Sequence, residues 1–216
     1  MSYLLGRGNG ATTSPSPSFI VPNDDPIRAH FLELGEADLT VTLLRTPLHP
    51  YVNVNHAKHS ELLGNYEEAE KSLRIAKQHH PRRTTKDRLA YGRLLGDLGR
   101  IQLQTNNPDL LPAAIANLSG AIESMGDDAG NARLNRGICH FLLDQHDDAL
   151  TDYQWIGKKF SDHDGLCAEA AAGIAEVYEA QGNFATALSW ARKSLQRNSD
   201  CALAKDIKRN VESRTL

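Results

Sequence analysis

Cysteines are too few and too scattered in this chain to indicate a disulfide framework or a zinc site. Cys139, Cys167 and Cys201 are odd in number, and no two of them form a C-x-x-C pair. This usage favours buried thiols in a reducing compartment. No apolar run approaches the length of about eighteen residues that a membrane helix requires, and the N-terminal apolar stretch is too short for a signal-peptide core. We therefore expect a soluble, cytoplasmic protein without membrane insertion.

Basic charge, alternating hydrophobicity and catalytic motifs are also scarce. The 216 residues carry a net charge of −3, which leaves no strong basic excess for displacing counterions from nucleic acid, so we expect no nucleic-acid partner. No segment alternates apolar and polar residues for long enough to predict a strand. No P-loop, catalytic triad or carboxylate pair stands out. His56 and His59 are three residues apart, but no Cys or carboxylate joins them at metal-ligand spacing. We expect no metal, no cofactor and no enzymatic activity.

The chain does contain a repeated pattern of small and apolar residues at helical spacing. Four times an alanine is followed by another apolar or small residue at +4 and +7, and each triplet lies in the second half of a helix–turn–helix pattern. Small residues precede the triplets at Ala57, Gly99, Gly137 and Ala175. Such self-similarity predicts stacked helical hairpins, because one hairpin cannot bury its apolar face alone. The triplets are Ala69/Leu73/Ala76, Ala114/Leu118/Ala121, Ala149/Tyr153/Ile156 and Ala187/Ala191/Ser194.

Turn and cap signals divide the chain into a tail and a repeat domain. Residues 1–23 are rich in Gly, Ser and Pro and are predicted to be flexible or extended. Residues 24–216 are predicted to form the repeat domain. Its predicted parts are a degenerate first hairpin (24–49), repeats at about 50–81, 84–124, 128–161 and 164–199, and an amphipathic capping helix (200–213).

An apolar island interrupts the tail at Phe19, Ile20 and Val21. A short tether to the first hairpin gives this island a high effective concentration, so even weak docking would be populated. We hypothesise that it docks on the helices of the array. The alternatives are that it reaches a neighbouring subunit or that the tail is disordered.

Three segments each carry part of the helix–turn–helix pattern: Leu63-Gly64-Asn65-Tyr66-Glu67-Glu68-Ala69, Asn135-Arg136-Gly137 with Ala149-Leu150, and Gly182-Asn183-Phe184-Ala185-Thr186-Ala187. These segments resemble the tetratricopeptide repeat (TPR) family. The resemblance covers about residues 50–199 and, more loosely, 24–49. Successive second-helix alanines at 69, 114, 149 and 187 are 45, 35 and 38 residues apart, whereas the family period is 34 residues, so the stack is expected to be irregular.

The resemblance implies a right-handed superhelix whose first helices line a concave groove that binds a peptide or helix of another protein. Mapped onto this chain, the groove is basic at one end, apolar in the middle and acidic at the other end. For the apolar residues the alternative is ordinary inter-helix core, and for the charged residues it is a solvated helix face. The implied residues are Lys58, Arg93 and Arg100, then Leu134, Ile138 and Phe141, then Glu176 and Glu179.

Two functions follow as hypotheses. The first is a non-catalytic adaptor that holds a partner segment in the groove. The alternative is a structural subunit of a larger assembly, which would pack through its convex face and its N-terminal tail. The sequence names neither the partner nor the oligomeric state.

Overall fold

A computed structural model describes residues 36–214 of the chain, with side chains from Val41 onward. Outside these residues lie the predicted tail, with Phe19, Ile20 and Val21, and the first part of the predicted hairpin at 24–49. The described part forms ten α-helices and contains no β-strand. The predicted all-α class is therefore confirmed.

The described helices fall into two compact units, residues 36–126 and 127–214. The N-terminal unit contains α1 (Glu36–Arg45), α2 (Pro50–Leu62), α3 (Tyr66–His79), α4 (Thr85–Gln104), a 3-10 turn (Pro108–Leu110) and α5 (Leu111–Met125). The C-terminal unit contains α6 (Gly130–Leu142), α7 (His146–Lys159), α8 (Asp164–Ala180), α9 (Phe184–Arg197) and α10 (Ala202–Arg214). Consecutive helices within each unit pack against one another.

Four hairpin turns use the same backbone device. Gly64, Asn106, Asp144 and Gly182 all have positive φ, between 56° and 77°. In three of the four turns the next amide reaches back to the carbonyl five residues earlier, as in Asn65 N to Ser60 O at 2.8 Å. This bond closes the C-terminus of the first helix and lets the chain reverse at once. Glycine is favoured here because the left-handed conformation carries no Cβ penalty.

The small and apolar triplets form the seams between helices. All twelve side chains are buried, with at most 2% exposed. The preceding small residues also sit in tight contacts. An added Cβ on Gly99 would lie 3.0 Å from the carbonyl oxygen of Ala114, so α4 and α5 approach closely because glycine is present. The twelve positions singled out by the sequence pattern therefore all contribute to the buried core.

Buried polar networks join neighbouring helices in both units. In the N-terminal unit, Lys77 Nζ donates to Asn117 at 2.7 Å, Asn117 donates to Gln102 at 2.8 Å, and Gln102 donates to Glu70 at 2.8 Å. Each buried amide therefore has both a donor and an acceptor contact, which removes the cost of burying it.

In the C-terminal unit, the Asp152 carboxylate on α7 is 1% exposed and accepts two 2.7 Å bonds from Arg136 on α6. Arg133 adds a 3.3 Å bond to Asp152 and stacks on Trp155. Paired in this way, a charge inside the hairpin is tolerated.

The last helix, α10, packs on α8 and α9 through Cys201, Ala204, Ile207 and Val211. Its opposite face is polar, with Lys205, Asp206 and Arg209 exposed. A terminal helix of this kind covers the apolar side of the last hairpin and presents a polar surface to water. The predicted C-terminal capping helix is therefore present.

Candidate functional site

Four charged side chains meet on the first helices of the two complete hairpins in the N-terminal unit. We call Lys58 and Glu61 of α2, with Asp97 and Arg100 of α4, the charged cluster. Arg100 donates to both carboxylate oxygens of Glu61, with Nη2 2.9 Å from Oε2. The same guanidinium lies 3.7 Å from Asp97 Oδ1. A bidentate pair of this geometry fixes the Arg100 side chain across the two helices.

Partial burial changes the electrostatics of the charged cluster. Burial raises the pKa of the Asp97 carboxyl, although the nearby Arg100 and Lys58 charges oppose the shift. Burial also lowers the pKa of the Lys58 ammonium, against the pull of Asp97 and Glu61. Lys58 makes no ion pair with any described residue. It is therefore a partly desolvated cation without a carboxylate in direct contact, which is energetically unfavourable.

The predicted basic end of the groove is thus only partly available to a ligand. Arg93 lies one turn before Asp97 on α4, is partly exposed, and forms no ion pair within the described part of the chain. Arg100 is already held by Glu61, and no local sequence pattern indicates that pair because the partners are 39 residues apart. Lys58 and Arg93 therefore remain as the open cations of this face.

The predicted apolar middle lies on α6 in the C-terminal unit and is mostly buried. Leu134 and Ile138 are 7% and 8% exposed. The core alternative therefore describes these two side chains, and they offer a partner little surface. Phe141 is partly exposed, with its ring 5.8 Å from that of His146. The open apolar surface expected here reduces to one aromatic ring.

The predicted acidic end lies on α8. Glu176 is buried, with 8% of its surface exposed. Burial raises the pKa of Glu179, whose carboxylate faces α10, where it accepts a hydrogen bond from Asn210 and feels the Arg214 charge. Much of this end therefore contributes to packing with the terminal helix, a contact that the sequence pattern of α8 alone does not reveal.

The described residues offer neither a metal site nor a membrane-spanning helix. Residues 36–214 contain no group of three or more His, Cys, Asp and Glu side chains close enough to hold a metal ion. His56 instead contacts the Ser72 hydroxyl at 2.8 Å through Nδ1. Within the same range, every helix is too short or too polar to cross a bilayer.

Comparison with known proteins places the fold. No family model matches the sequence, and no curated protein matches it. Among solved structures, YrrB, "a TPR protein with an unusual peptide-binding site", superimposes with a TM-score of 0.66 at 21% identity. That match covers 85% of this chain and 86% of YrrB.

Other TPR structures superimpose as well. MamA has a TM-score of 0.57 at 14% identity, over 76% of this chain and 86% of MamA. A TPR protein of Thermus thermophilus has a TM-score of 0.50 at 20% identity, over 87% and 93% of the two chains. At these identities the likeness concerns the fold. The turns, the buried alanine seams and these superpositions agree that this chain is a TPR-like protein built of stacked helical hairpins.

Proposed function

We propose that the protein is a non-catalytic adaptor that holds a segment of another protein against the first helices of its hairpins. The observation that carries this proposal is Lys58, a partly desolvated ammonium that lacks a direct carboxylate partner in the described structure. Perturbed charges on an accessible face are enriched at functional sites. YrrB, a TPR protein with a peptide-binding site, has a similar fold and supports the same class of function for this chain.

The charged cluster suggests how such a segment is recognised. A carboxylate of the partner would bind Lys58 and Arg93, and the resulting charge-assisted hydrogen bonds would compensate the desolvation of Lys58. Arg100 stays with Glu61 and stiffens the face between α2 and α4. Asp97 faces the same region and disfavours a ligand with unbalanced negative charge. The preferred ligand therefore carries one carboxylate at this point. In the C-terminal unit, considered by itself, Phe141 is partly exposed, and we propose that it contacts an apolar side chain of a partner.

Selection of peptides from a random library on the full-length protein tests the proposal. We expect the selected peptides to share an Asp, a Glu or a free C-terminal carboxylate. Lys58→Ala should weaken their binding, measured by fluorescence anisotropy, by at least about tenfold, which corresponds to about 1.4 kcal/mol. The matched control is Lys158→Ala on α7, because Lys158 is exposed and makes no ion pair within residues 36–214. Equal affinities for wild type and Lys58→Ala would reject the proposed role of this face.

Exposed leucines favour a second candidate, a structural subunit of a larger assembly. Leu44 and Leu48 are 78% and 57% exposed, and Leu62 and Leu63 at the α2–α3 turn are 86% and 60% exposed. Exposed apolar side chains mark protein contacts where they form a contiguous patch, and these four leucines lie in two pairs that are close in sequence. Replacement of Leu44 and Leu62 by Ser should then improve solubility and abolish co-purification with the assembly. Unchanged behaviour of that variant would leave the adaptor as the better account.

We place this activity in the cytoplasm. All three cysteines are free and buried, as is usual for proteins of a reducing compartment.

A further inference from the structure

Positive charge is concentrated in one short stretch of this acidic chain. Residues 71–93 contain eight Lys and Arg residues and a single acidic residue, Asp87. The rest of the chain holds sixteen Lys and Arg against twenty-six Asp and Glu. The stretch covers most of α3, the α3–α4 connection and the first half of α4. A segregation of this degree creates a strong local field in a molecule whose net charge is negative.

Five of these cations surround the α3–α4 connection, and we call them the basic rim: Lys77, Arg82, Arg83, Lys86 and Arg88. Arg82 links the end of α3 to α4, because its Nη2 reaches the Lys77 carbonyl at 3.4 Å and its guanidinium stacks 4.1 Å from the Tyr91 ring centroid. All members except Lys77 are exposed. None of the five forms an ion pair with a described residue.

Asp87, the single acidic residue within residues 71–93, is hydrogen-bonded by the backbone. Asp87 accepts hydrogen bonds from the backbone amides of Thr84 at 2.9 Å and Arg83 at 3.2 Å, and Thr84 in turn caps the amide of Asp87. The bond from the Thr84 amide is the main reason that the pKa of Asp87 is lowered. This capping box starts α4 and directs the Asp87 carboxylate to the backbone, and Asp87 forms no ion pair with a rim cation.

By contrast, most arginines in the described part of the C-terminal unit are paired. In the C-terminal unit five arginines each have a carboxylate within ion-pair distance: Arg133, Arg136, Arg192, Arg197 and Arg209.

The basic rim is unfavourable for the stability of the free protein. Burial and then the neighbouring Arg82 and Arg74 charges lower the pKa of Lys77. Lys86 lies in the first turn of α4, where a positive charge opposes the helix dipole. Lys77 and Arg82 keep contacts with Asn117 and Tyr91, but no rim cation has an ion-pair partner among the described residues. A local charge pattern that lowers stability is typical of a functional surface, and an external anion would supply a counter-charge.

We propose that the basic rim is a second docking surface, which binds a short acidic segment of a partner protein. A long nucleic acid would extend beyond the rim onto a chain surface that is otherwise acidic, whereas a segment of a few Asp and Glu residues would not. Leu89, 39% exposed, and the Tyr91 ring lie beside the cations and would receive an apolar side chain of the same segment. The rim shares no residue with the charged cluster, so this inference and the proposed adaptor face can fail separately.

Titration of the full-length protein with a fluorescein-labelled poly-glutamate peptide tests the inference by fluorescence anisotropy. The rim variant replaces Arg83, Lys86 and Arg88 by Gln, because these exposed side chains hold no packing contact that folding needs. The matched control replaces Lys158, Lys193 and Lys208 by Gln, an equal change of charge in the C-terminal unit. We expect the rim variant to bind at least about tenfold more weakly and the control to stay within about twofold. The rim variant should melt at the same or a higher temperature than wild type, because it removes like-charge repulsion.

The remaining arms separate the sources of binding. Lys58→Ala should leave poly-glutamate binding unchanged, since Lys58 lies outside the basic rim. Equal losses in the rim and control variants would mean nonspecific attraction and would overturn the inference. Tighter, rim-dependent binding of single-stranded poly-dT or of phosphatidylserine vesicles would also overturn it, in favour of a nucleic acid or a lipid surface.

Discussion

Tyr153 is held between two glycines, and this contact gives a sharp test of the packing. Its ring lies between α6 and α8 and is 1% exposed. A Cβ on Gly173 would lie 2.6 Å from Cζ, 2.7 Å from Cε2 and 3.0 Å from Cε1 of the ring. The α6 backbone limits movement of the ring on the other side. It lies so close at Gly137 that an added Cβ there would be 2.6 Å from Cε1. Carbon atoms prefer about 3.5–4.0 Å, so Gly173→Ala forces a shift of the ring or the helix.

The magnitude follows from two opposing contributions. Overpacking a filled core costs about 1–3 kcal/mol, and a ring confined on both faces favours the upper end. Alanine gains about 1 kcal/mol over glycine within a helix. We therefore expect Gly173→Ala to lower the free energy of unfolding by about 2 kcal/mol. Gly157→Ala on α7 is the matched control, because its Cβ would meet nothing within 4 Å. It should raise stability by up to about 1 kcal/mol.

Urea denaturation followed by circular dichroism measures both variants. The reasoning is refuted if Gly173→Ala is as stable as wild type or more so. A double-mutant cycle then checks the cause. In a Tyr153→Leu background the added methyl group has room, so Gly173→Ala should no longer destabilise the protein.

Two further predictions concern buried charge and acid. Asp152→Ala should lower the free energy of unfolding by about 3 kcal/mol, because it removes the carboxylate that Arg136 and Arg133 contact. Asp152→Asn should lower the free energy of unfolding by less. Urea midpoints equal to that of wild type would contradict the role of this ion pair. Burial lowers the pKa of His80 below its usual 6.5, so His80 binds a proton more readily in the unfolded state than in the folded state. The free energy of unfolding should therefore fall as pH drops below about 6.5. His80→Gln should make the melting temperature less sensitive to pH between about 7 and 5, and an unchanged pH profile would exclude this residue as a cause.

Local signals account for the parts of the fold that the sequence predicts well. The second repeat is predicted to begin at about residue 84, and its first helix, α4, begins at Thr85 with Thr84 as its N-cap. Gly64 and Gly182 mark their turns, and both have positive φ. These features depend on residues within one turn of one another, so they can be read from a single segment.

The candidate site is less predictable because its properties depend on distant segments. Glu61 on α2 forms an ion pair with Arg100 on α4, and the sequence of neither helix by itself predicts that ion pair. Ile138 has the same helical spacing whether a neighbouring helix covers it or not, and its burial is decided by the tertiary packing. Glu179 likewise acquires its partner Asn210 only when α10 folds back on α8.

The three buried thiols are natural probes of local opening in the C-terminal unit. Cys139 on α6, Cys167 on α8 and Cys201 before α10 are all free and at most 8% exposed, and the N-terminal unit contains no cysteine. Burial raises the pKa of Cys139 to about 12, so its reactive thiolate is almost absent until α6 opens. The rate at which a thiol reagent labels each position therefore measures the opening free energy of that helix. A ligand that binds only the N-terminal unit should leave all three labelling rates unchanged. A slower rate in its presence would mean that binding also stabilises the C-terminal unit. The natural cysteines can therefore measure coupling between the two units without an introduced label.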